Sequence, residues 1–563
     1  MKNSGKYQKQ FYIPDGVTMD WMRKTSIEKP PVWCSVDLRD GNQALVTPMS
    51  VDEKIEFFQL LCKIGFREIE IGFPAASETE YAFCRALIER DLIPDGVTIQ
   101  VITQPREHII ERTFDAIRGA KSVIVHLYSS TSTAYREQVF QKDRAEVKQM
   151  AVDAAVLCKR CAEGFEGELR FEYSPESFTA TEPDYAAEVC NAVLDVWLPT
   201  ADRKAIINLP VTMENSMPHV YGAQVEYMSK ALKYRENVVL SLHPHNDRGT
   251  GVADAELGLL AGGERVEGTL FGNGERTGNV DIVTLALNLY AHGVDTGLDF
   301  SDLPAVTRVY EETTRMRVHE RQPYSGALVF AAFSGSHQDA IAKSMKYREE
   351  KGLTAWSVPY LPIDPADVGR VYETDVIRIN AQSGKGGIGH ILETQFHFVL
   401  PKKFREEFGY HVKGVSERTQ RELVAQDLHD IFIKDFVNVH APVALIKASF
   451  DAGHEFLGVE YPEEVNTTLV LAYGGETRTL TASGNGRLMA ACNALQKCLG
   501  INFALESYIE HVLDEKYMSQ AVSYVCISRN GKHFWGAGLH GDIMASSLNA
   551  LLSAVNRMIA KEA

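Results

Sequence analysis

The chain has 563 residues, 45% hydrophobic and 24% charged, with a formal net charge of -17 and a pI of about 5.5. That acidic balance argues against nucleic acid or an anionic membrane as the main partner, while a basic pocket for one anionic ligand stays open. The length exceeds one ordinary core and predicts two or three domains. No apolar run reaches the ~20 residues of a spanning helix, and the opening "MKNSGKYQKQFYIPDG" lacks the hydrophobic region of a signal peptide. A cytoplasmic protein without a membrane segment is the expectation.

From residue 32 to about residue 300, short apolar runs alternate with longer amphipathic stretches. The runs are "VWCSVDL", "FREIEIG", "TIQVIT", "SVIVHLYSS", "LRFEYSPE", "AIINLPVT", "VVLSLHPHND" and "RVEGTLFGNG". Eight strands alternating with helices predict a (β/α)8 barrel. The rival is a doubly wound open sheet, which usually carries an early G-x-G-x-x-G that is absent here. Within the fourth unit, Cys158 and Cys161 form a C-x-x-C pair in helical periodicity. With no second pair beside it, it reads as packing, like the other scattered cysteines.

A barrel puts its functional residues where strands end. Strand one ends in "DLRDGNQ" with Arg39, Asp40 and Asn42. Strand four carries His126 and Tyr128, strand five ends at Glu176 and strand six at Thr212. Strand seven ends in "LHPHND", where His243 and His245 sit two apart and so share one face. Strand eight runs into "FGNGERTGN".

Imidazole nitrogens suit Zn, Mn, Fe or Co, and carboxylate oxygens suit Mg, Mn or Zn. By itself an H-x-H pair is more often packing or hydrogen bonding. Asp40, at the end of the strand that closes the barrel against strand eight, makes a metal the favoured reading. Asn279, past strand eight, could add a side-chain oxygen. Arg39 suits stabilisation of developing oxyanion or enolate charge, with a structural salt bridge as the alternative. Glu176 suits a hydrogen bond to a metal-bound hydroxyl or a carboxylate-rich substrate, and Thr212 a hydroxyl donated to a substrate carboxylate; plain structural roles stand beside both. The glycines of "FGNGERTGNVD" lack the phosphate-loop pattern and fit close approach of backbone to a metal.

After residue 305 the pattern becomes helical and loop-like, with His319, Tyr324 and His337, then "YLPIDPADVGR" and "SGKGGIGH". The last stretch holds an approximate duplication, "LAYGGETRTLTASGNGRLMAACNALQKCL" against "CISRNGKHFWGAGLHGDIMASSLNALLSAV". Each copy reads as strand, tight turn, strand, glycine-bearing turn and helix. A small α+β domain with pseudo-twofold symmetry follows, of a kind more often regulatory or dimerising than catalytic. The plan is an extension over 1–30, a catalytic barrel over 31–305, linker subdomains over 306–435 and a regulatory domain over 436–563.

The motifs "DLRDGNQAL", "EIEIGFPAAS", "FEYSPESF", "LHPHNDRGTGVADAELGLLAGGERVEGTLFGNGERTGN" and "VPYLPIDPADVGR" resemble those of the α-isopropylmalate synthases of the longer bacterial type. The resemblance runs across nearly the whole chain. It implies a metal-dependent barrel, linker subdomains and a leucine-binding regulatory domain. It also implies a Claisen-type condensation of acetyl-CoA with 3-methyl-2-oxobutanoate, with a divalent ion (Mg, Zn or Mn) chelating and polarising the keto acid. The metal positions carried over are Asp40, His243, His245 and Asn279; His126 and Thr212 match positions lining the keto-acid pocket. His337 in "SGSHQDAI" and Tyr360 in "VPYLPID" match residues that reach the partner subunit's barrel mouth, which would make the homodimer the catalytic unit. Leucine feedback is implied for the last domain, where Gly484 and Gly486 precede a helix N-terminus suited to an anion; read from the residues alone, that turn is a helix cap. Citramalate synthase, using pyruvate, and homocitrate synthase, using 2-oxoglutarate, share the chemistry. A lyase or carboxyltransferase on the same barrel lacks support from any biotin-carrier segment, and the intact polar strand ends speak against a decayed leucine sensor.

Overall fold

The computed structural model describes residues 3–7, 9–332, 334–372, 385–419, 423–451, 464–513 and 520–562. Two compact units divide the chain: Met1–Phe330 with Ile363–Val371, and Ala331–Pro362 with Tyr372–Ala563. The stretch read as linker subdomains is therefore shared between them.

In the first unit the eight apolar runs become β1 (Val32–Ser35), β2 (Glu68–Gly72), β3 (Thr98–Thr103), β4 (Ser122–Ser130), β5 (Glu168–Glu176), β6 (Ala205–Val211), β7 (Val238–Pro244) and β8 (Arg265–Gly268). They close into one parallel barrel in sequence order, with β1 paired to both β2 and β8. β2 and β6 are buried along their whole length, as expected when helices cover the outer face of a parallel sheet. The intervening stretches form those helices. "SVDEKIEFFQLLCKI" gives the helix Val51–Ile64, started by a Ser50–Glu53 capping box and stopped at Gly65, whose φ is 114. A Cβ on Gly65 would lie 2.5 Å from the Gly297 carbonyl oxygen, so the turn also needs glycine for space. The helix buries Phe57, Phe58, Leu61 and Ile64, each worth about 1.5–3 kcal/mol of transfer free energy. Phe57→Ala would cost about 3–5 kcal/mol.

The centre of this barrel is polar, where barrels are usually filled by branched apolar side chains. Arg265 has no exposed surface. Its Nε donates to Glu68 at 2.5 Å, its Nη1 to Ser241 and Glu267 at 2.8 Å each, and its Nη2 to Gln100 at 2.7 Å. These partners come from β2, β3, β7 and β8, so one guanidinium ties strands on opposite sides of the closure.

The N-terminal extension is bound to this unit. Asn215 Nδ2 donates to Gln10 O at 2.7 Å and Gln224 Nε2 to Tyr12 O at 2.8 Å, while Tyr12 Oη lies 3.0 Å from Thr133 Oγ1. Glu226, on the helix Pro218–Ala231, accepts from Thr18 N, Met19 N and Trp21 Nε1, all at 3.0 Å. The Trp21 ring lies over Gly222, where a Cβ would come within 2.6 Å of it.

In the second unit, the helices Gly335–Lys351, Lys385–Phe396, Lys402–Thr419 and Ala425–Phe436 precede two three-stranded antiparallel sheets. The first sheet has β9 (Val443–Asp451), β10 (Val465–Tyr473) and β11 (Glu476–Gly484); the second has β12 (Ala504–Val512), β13 (Ala521–Arg529) and β14 (Lys532–His540). The duplicated segments are the last two strands and the helix of each unit. β9 and β12 extend each copy by a strand that the repeat pattern does not contain. The helices Arg487–Leu499 and Ile543–Glu562 end the two copies. By length and composition the latter could cross a membrane, contrary to the expectation that no run is long enough, but 67% of its apolar window is buried. It is a core helix, and Gly536 and Gly538 let β14 press against it: Cβ atoms there would lie 2.2 Å from Ala554 N and 2.0 Å from Ser546 O.

Candidate metal centre

β1 ends in a widened turn, Asp37–Gly41, in which Val36 O accepts from the amides of Arg39, Asp40 and Gly41. The turn is pinned from below by Asp37, which takes Leu270 N at 3.0 Å and Ser35 Oγ at 2.8 Å. Asp40 is thereby turned into the barrel mouth. On β7, the two-residue strand period sets His243 and His245 side by side, ring centroids 5.3 Å apart. His245 is held by its amide to Val211 O at 3.2 Å and by a bridge to Asn279.

Because β1 and β7 both flank β8, these residues converge. Asp40 Oδ2 is 3.2 Å from His243 Nε2 and 3.6 Å from His245 Nε2. One ligand atom from each residue fits within 4.8 Å of the others, and all three side chains are buried. Asn279 Oδ1 is buried with no hydrogen-bond partner among the described residues, while its Nδ2 donates to Asn273 O at 3.3 Å. Two imidazoles, one carboxylate and an orphaned amide oxygen form a donor set that suits a divalent cation.

The electrostatics agree. Burial alone would push the Asp40 carboxyl up, but the Arg39 guanidinium and the two imidazoles hold it well below the ordinary carboxylate range. Burial lowers His243 as well, yet hydrogen bonds to Asp40 and Glu267 and their charges lift it to about 9. His245 drops to about 4, because burial and the charges of His243, Arg276 and Arg39 outweigh Asp40. Arg39 Nη1 lies 3.0 Å from Asp40 Oδ1, and its Nε donates to Glu70.

A cavity of about 160 Å³ opens over the triad. Arg39, His126, Glu176 and Thr212 line it together with Asp40 and the two histidines. Thr212 Oγ1 accepts from Ser177 N at 2.8 Å, which leaves its hydroxyl proton available to a ligand. Burial raises the Glu176 carboxyl, against the opposing Ser130 hydrogen bond and Arg39 charge. His126 has both ring nitrogens engaged, Nδ1 with Glu70 at 2.7 Å and Nε2 with Ser174 at 2.7 Å. Asn42, at the same strand end, faces elsewhere and accepts from Met49 N at 2.8 Å.

His337 and Tyr360 belong to the second unit, where their rings stack on each other with centroids 4.0 Å apart. Tyr360 has a left-handed backbone, φ 65, and is 61% exposed. Gly484 ends β11, and a Cβ there would come within 2.5 Å of Ala490 N, so packing against the following helix accounts for that glycine. Gly486 caps that helix without a side chain.

Several residues at the site escaped the sequence reading. Glu70, Arg265 and Glu267 support the mouth from inside, and the signal was present as charged residues within the apolar runs "EIEIG" and "RVEG". Arg276 is another. It pairs with Asp247 at 2.6 Å and donates to Thr212 O at 2.6 Å, joining the ends of β6, β7 and β8.

Three family models match consecutive parts of the chain: HMGL-like over residues 30–309, alpha-isopropylmalate synthase, post-catalytic domain-like, over 327–393, and the LeuA allosteric (dimerisation) domain over 422–559. The chain is 57% identical over 558 residues to the 2-isopropylmalate synthase of Helicobacter hepaticus, covering 98% of this chain and 99% of that one. It is 58% identical over 560 residues to the enzyme of that name from Desulfitobacterium hafniense, covering 99% of each. With that from Brucella suis the identity is 48% over 561 residues, the full length of both.

Proposed function

The chain belongs to the 2-isopropylmalate synthase family, enzymes of leucine biosynthesis, and from that premise we propose that it condenses acetyl-CoA with 3-methyl-2-oxobutanoate and water to give 2-isopropylmalate and CoA. The observation that carries the reading is the meeting of Asp40, His243 and His245 at the barrel mouth.

Asp40, His243, His245 and Asn279 would hold a divalent ion (Mg, Zn or Mn), which would supply Lewis acidity toward the keto acid. Thr212 donates its hydroxyl to the substrate carboxylate. Arg39, charged and fixed beside Asp40, stabilises the negative charge that develops on oxygen during carbon–carbon bond formation. A base removes a proton from the acetyl methyl group, and the carbanionic carbon bonds to the keto carbon, whose oxygen ends as a hydroxyl. Water then attacks the thioester carbonyl; the carbon–sulfur bond breaks, leaving a carboxylate and free CoA thiol. His337 with Tyr360 from the partner subunit suits the proton transfers, since an imidazole and a phenol within reach of the reacting atoms can pass protons as general acid and base. Glu176, whose carboxyl burial raises, suits holding a proton beside the reacting oxygens. The catalytic unit is then a homodimer, acting in the cytoplasm and inhibited by leucine at the C-terminal domain, with Gly484 and Gly486 at the turn that receives it.

The test is release of CoA thiol with 3-methyl-2-oxobutanoate, pyruvate or 2-oxoglutarate as acceptor. Preference for 3-methyl-2-oxobutanoate is the expected result. Preference for pyruvate would reassign the chain to citramalate synthesis, and for 2-oxoglutarate to homocitrate synthesis.

A further inference from the structure

Beneath the triad, Glu267 occupies β8 with no exposed surface. Its Oε2 lies 2.7 Å from His243 Nδ1 and 3.1 Å from Asn208 Nδ2, and its Oε1 accepts from Arg265 Nη1 at 2.8 Å and Gln100 Nε2 at 2.9 Å. A carboxylate offers about four lone-pair sites, and here all are used. Arg265 and Gln100 are themselves fixed by the Glu68, Ser241 and mutual bonds described above. The carboxylate is therefore locked in rotation as well as position.

That lock bears on the ring above it. An imidazole that ligates through Nε2 must carry its proton on Nδ1, and an acceptor placed there selects the tautomer and sets the plane of the ring. His243 has such an acceptor. His245 does not: its Nδ1 is buried and has no partner among the described residues. The two histidines look equivalent in the chain but differ in support.

We propose that Glu267 is the positioning residue of the metal centre, holding the proton on His243 Nδ1 so that Nε2 faces the ion, and that His243 is the fixed ligand while His245 is the adjustable one. The proposal rests on reading Asp40, His243 and His245 as metal ligands, and its test separates the two. The competing role for Glu267 is charge balance for Arg265 alone, which would leave ion affinity and the His243 tautomer untouched.

The full-length enzyme, stripped with a chelator, is titrated calorimetrically with Mn²⁺ as wild type, Asp40→Asn and Glu267→Gln. Wild type is expected to bind, Asp40→Asn to lose binding, and Glu267→Gln to bind about 10–100-fold more weakly with unchanged circular dichroism. In parallel, the wild type labelled with ¹⁵N-histidine and loaded with Zn²⁺ is expected to show a slowly exchanging proton on Nδ1 of one ring, absent in His243→Gln. Wild-type affinity in a folded Glu267→Gln, or a His243 Nδ1 without that proton, overturns the positioning role. Absence of Mn²⁺ binding by wild type, or its retention by Asp40→Asn, overturns the metal centre itself and the proposal with it. Should Glu267→Gln not fold, the wild-type spectrum decides.

Discussion

Asp40 Oδ2 stands 3.2 Å from His243 Nε2, although 203 residues separate them in the chain. The contact exists because β1 and β7 lie on either side of β8 in a closed barrel. Neither residue has another route to the other, so barrel closure and the site form together.

His245→Ala is expected to reduce CoA release more than about 100-fold, beyond the loss typical of a residue that only supports a ligand. The side chain is a strand-end imidazole with an unpartnered nitrogen, so the fold should persist. Steady-state assays with circular dichroism check both halves. Normal turnover in the variant would refute His245 as a ligand.

Ion affinity should depend on pH with a definite sign. His243 sits at about 9 without an ion, so near neutrality it carries a proton that an incoming cation must displace. Binding then releases that proton, and apparent Mn²⁺ affinity should rise by about tenfold per pH unit between pH 6 and 8. Calorimetry in buffers of different ionisation enthalpy measures the released proton. A flat profile would contradict the assignment.

Asp254 gives a stability test away from the triad. Burial, followed by the charge and hydrogen bond of Glu214, lifts its carboxyl to about 9. A folded-state value raised so far means folding takes up a proton. Its contribution to stability is greatest below the unfolded value of about 4 and is lost as pH rises toward 9, at about 1 kcal/mol per unit. Asp254→Asn should remove that slope, melting higher than wild type at pH 8 and showing less advantage at pH 5. Parallel melting curves for the two proteins would sink this account.

The strands were legible because buried parallel strands read as apolar runs, and the ligand triad because strand ends point at one mouth. The supporting layer was not. Glu70, Arg265 and Glu267 look like ordinary charges in "EIEIG" and "RVEG", and only closure shows that they face one another across the barrel centre. His126 illustrates the same limit: its strand position places it at the cavity, but its two hydrogen bonds to Glu70 and Ser174 depend on neighbours far away in the chain. The first strand of each C-terminal copy, β9 or β12, lay outside the repeated motif, so self-similarity could not reveal it.

The N-terminal segment supplies a further test. Glu226 accepts from Thr18, Met19 and Trp21, and Glu226→Ala would strand the buried indole N–H at a cost of about 1–3 kcal/mol. Urea unfolding should report that loss, and limited proteolysis should cut ahead of residue 24 sooner than in wild type. Unchanged proteolysis would mean the segment is held mainly by Trp21 against Gly222.

The polar layer around Arg265 also bears on how such a barrel can be taken apart. Glu68 and Gln100 lie in the first four strands, whereas Arg265, Ser241 and Glu267 lie in the last four. A chain severed between β4 and β5 would part Glu68 from Arg265 and Arg170, and would leave Arg265 with Glu267 but without Glu68 and Gln100. Barrels with apolar centres can be split into halves that each retain a greasy face; each half of this one would carry polar groups whose partners lie in the other.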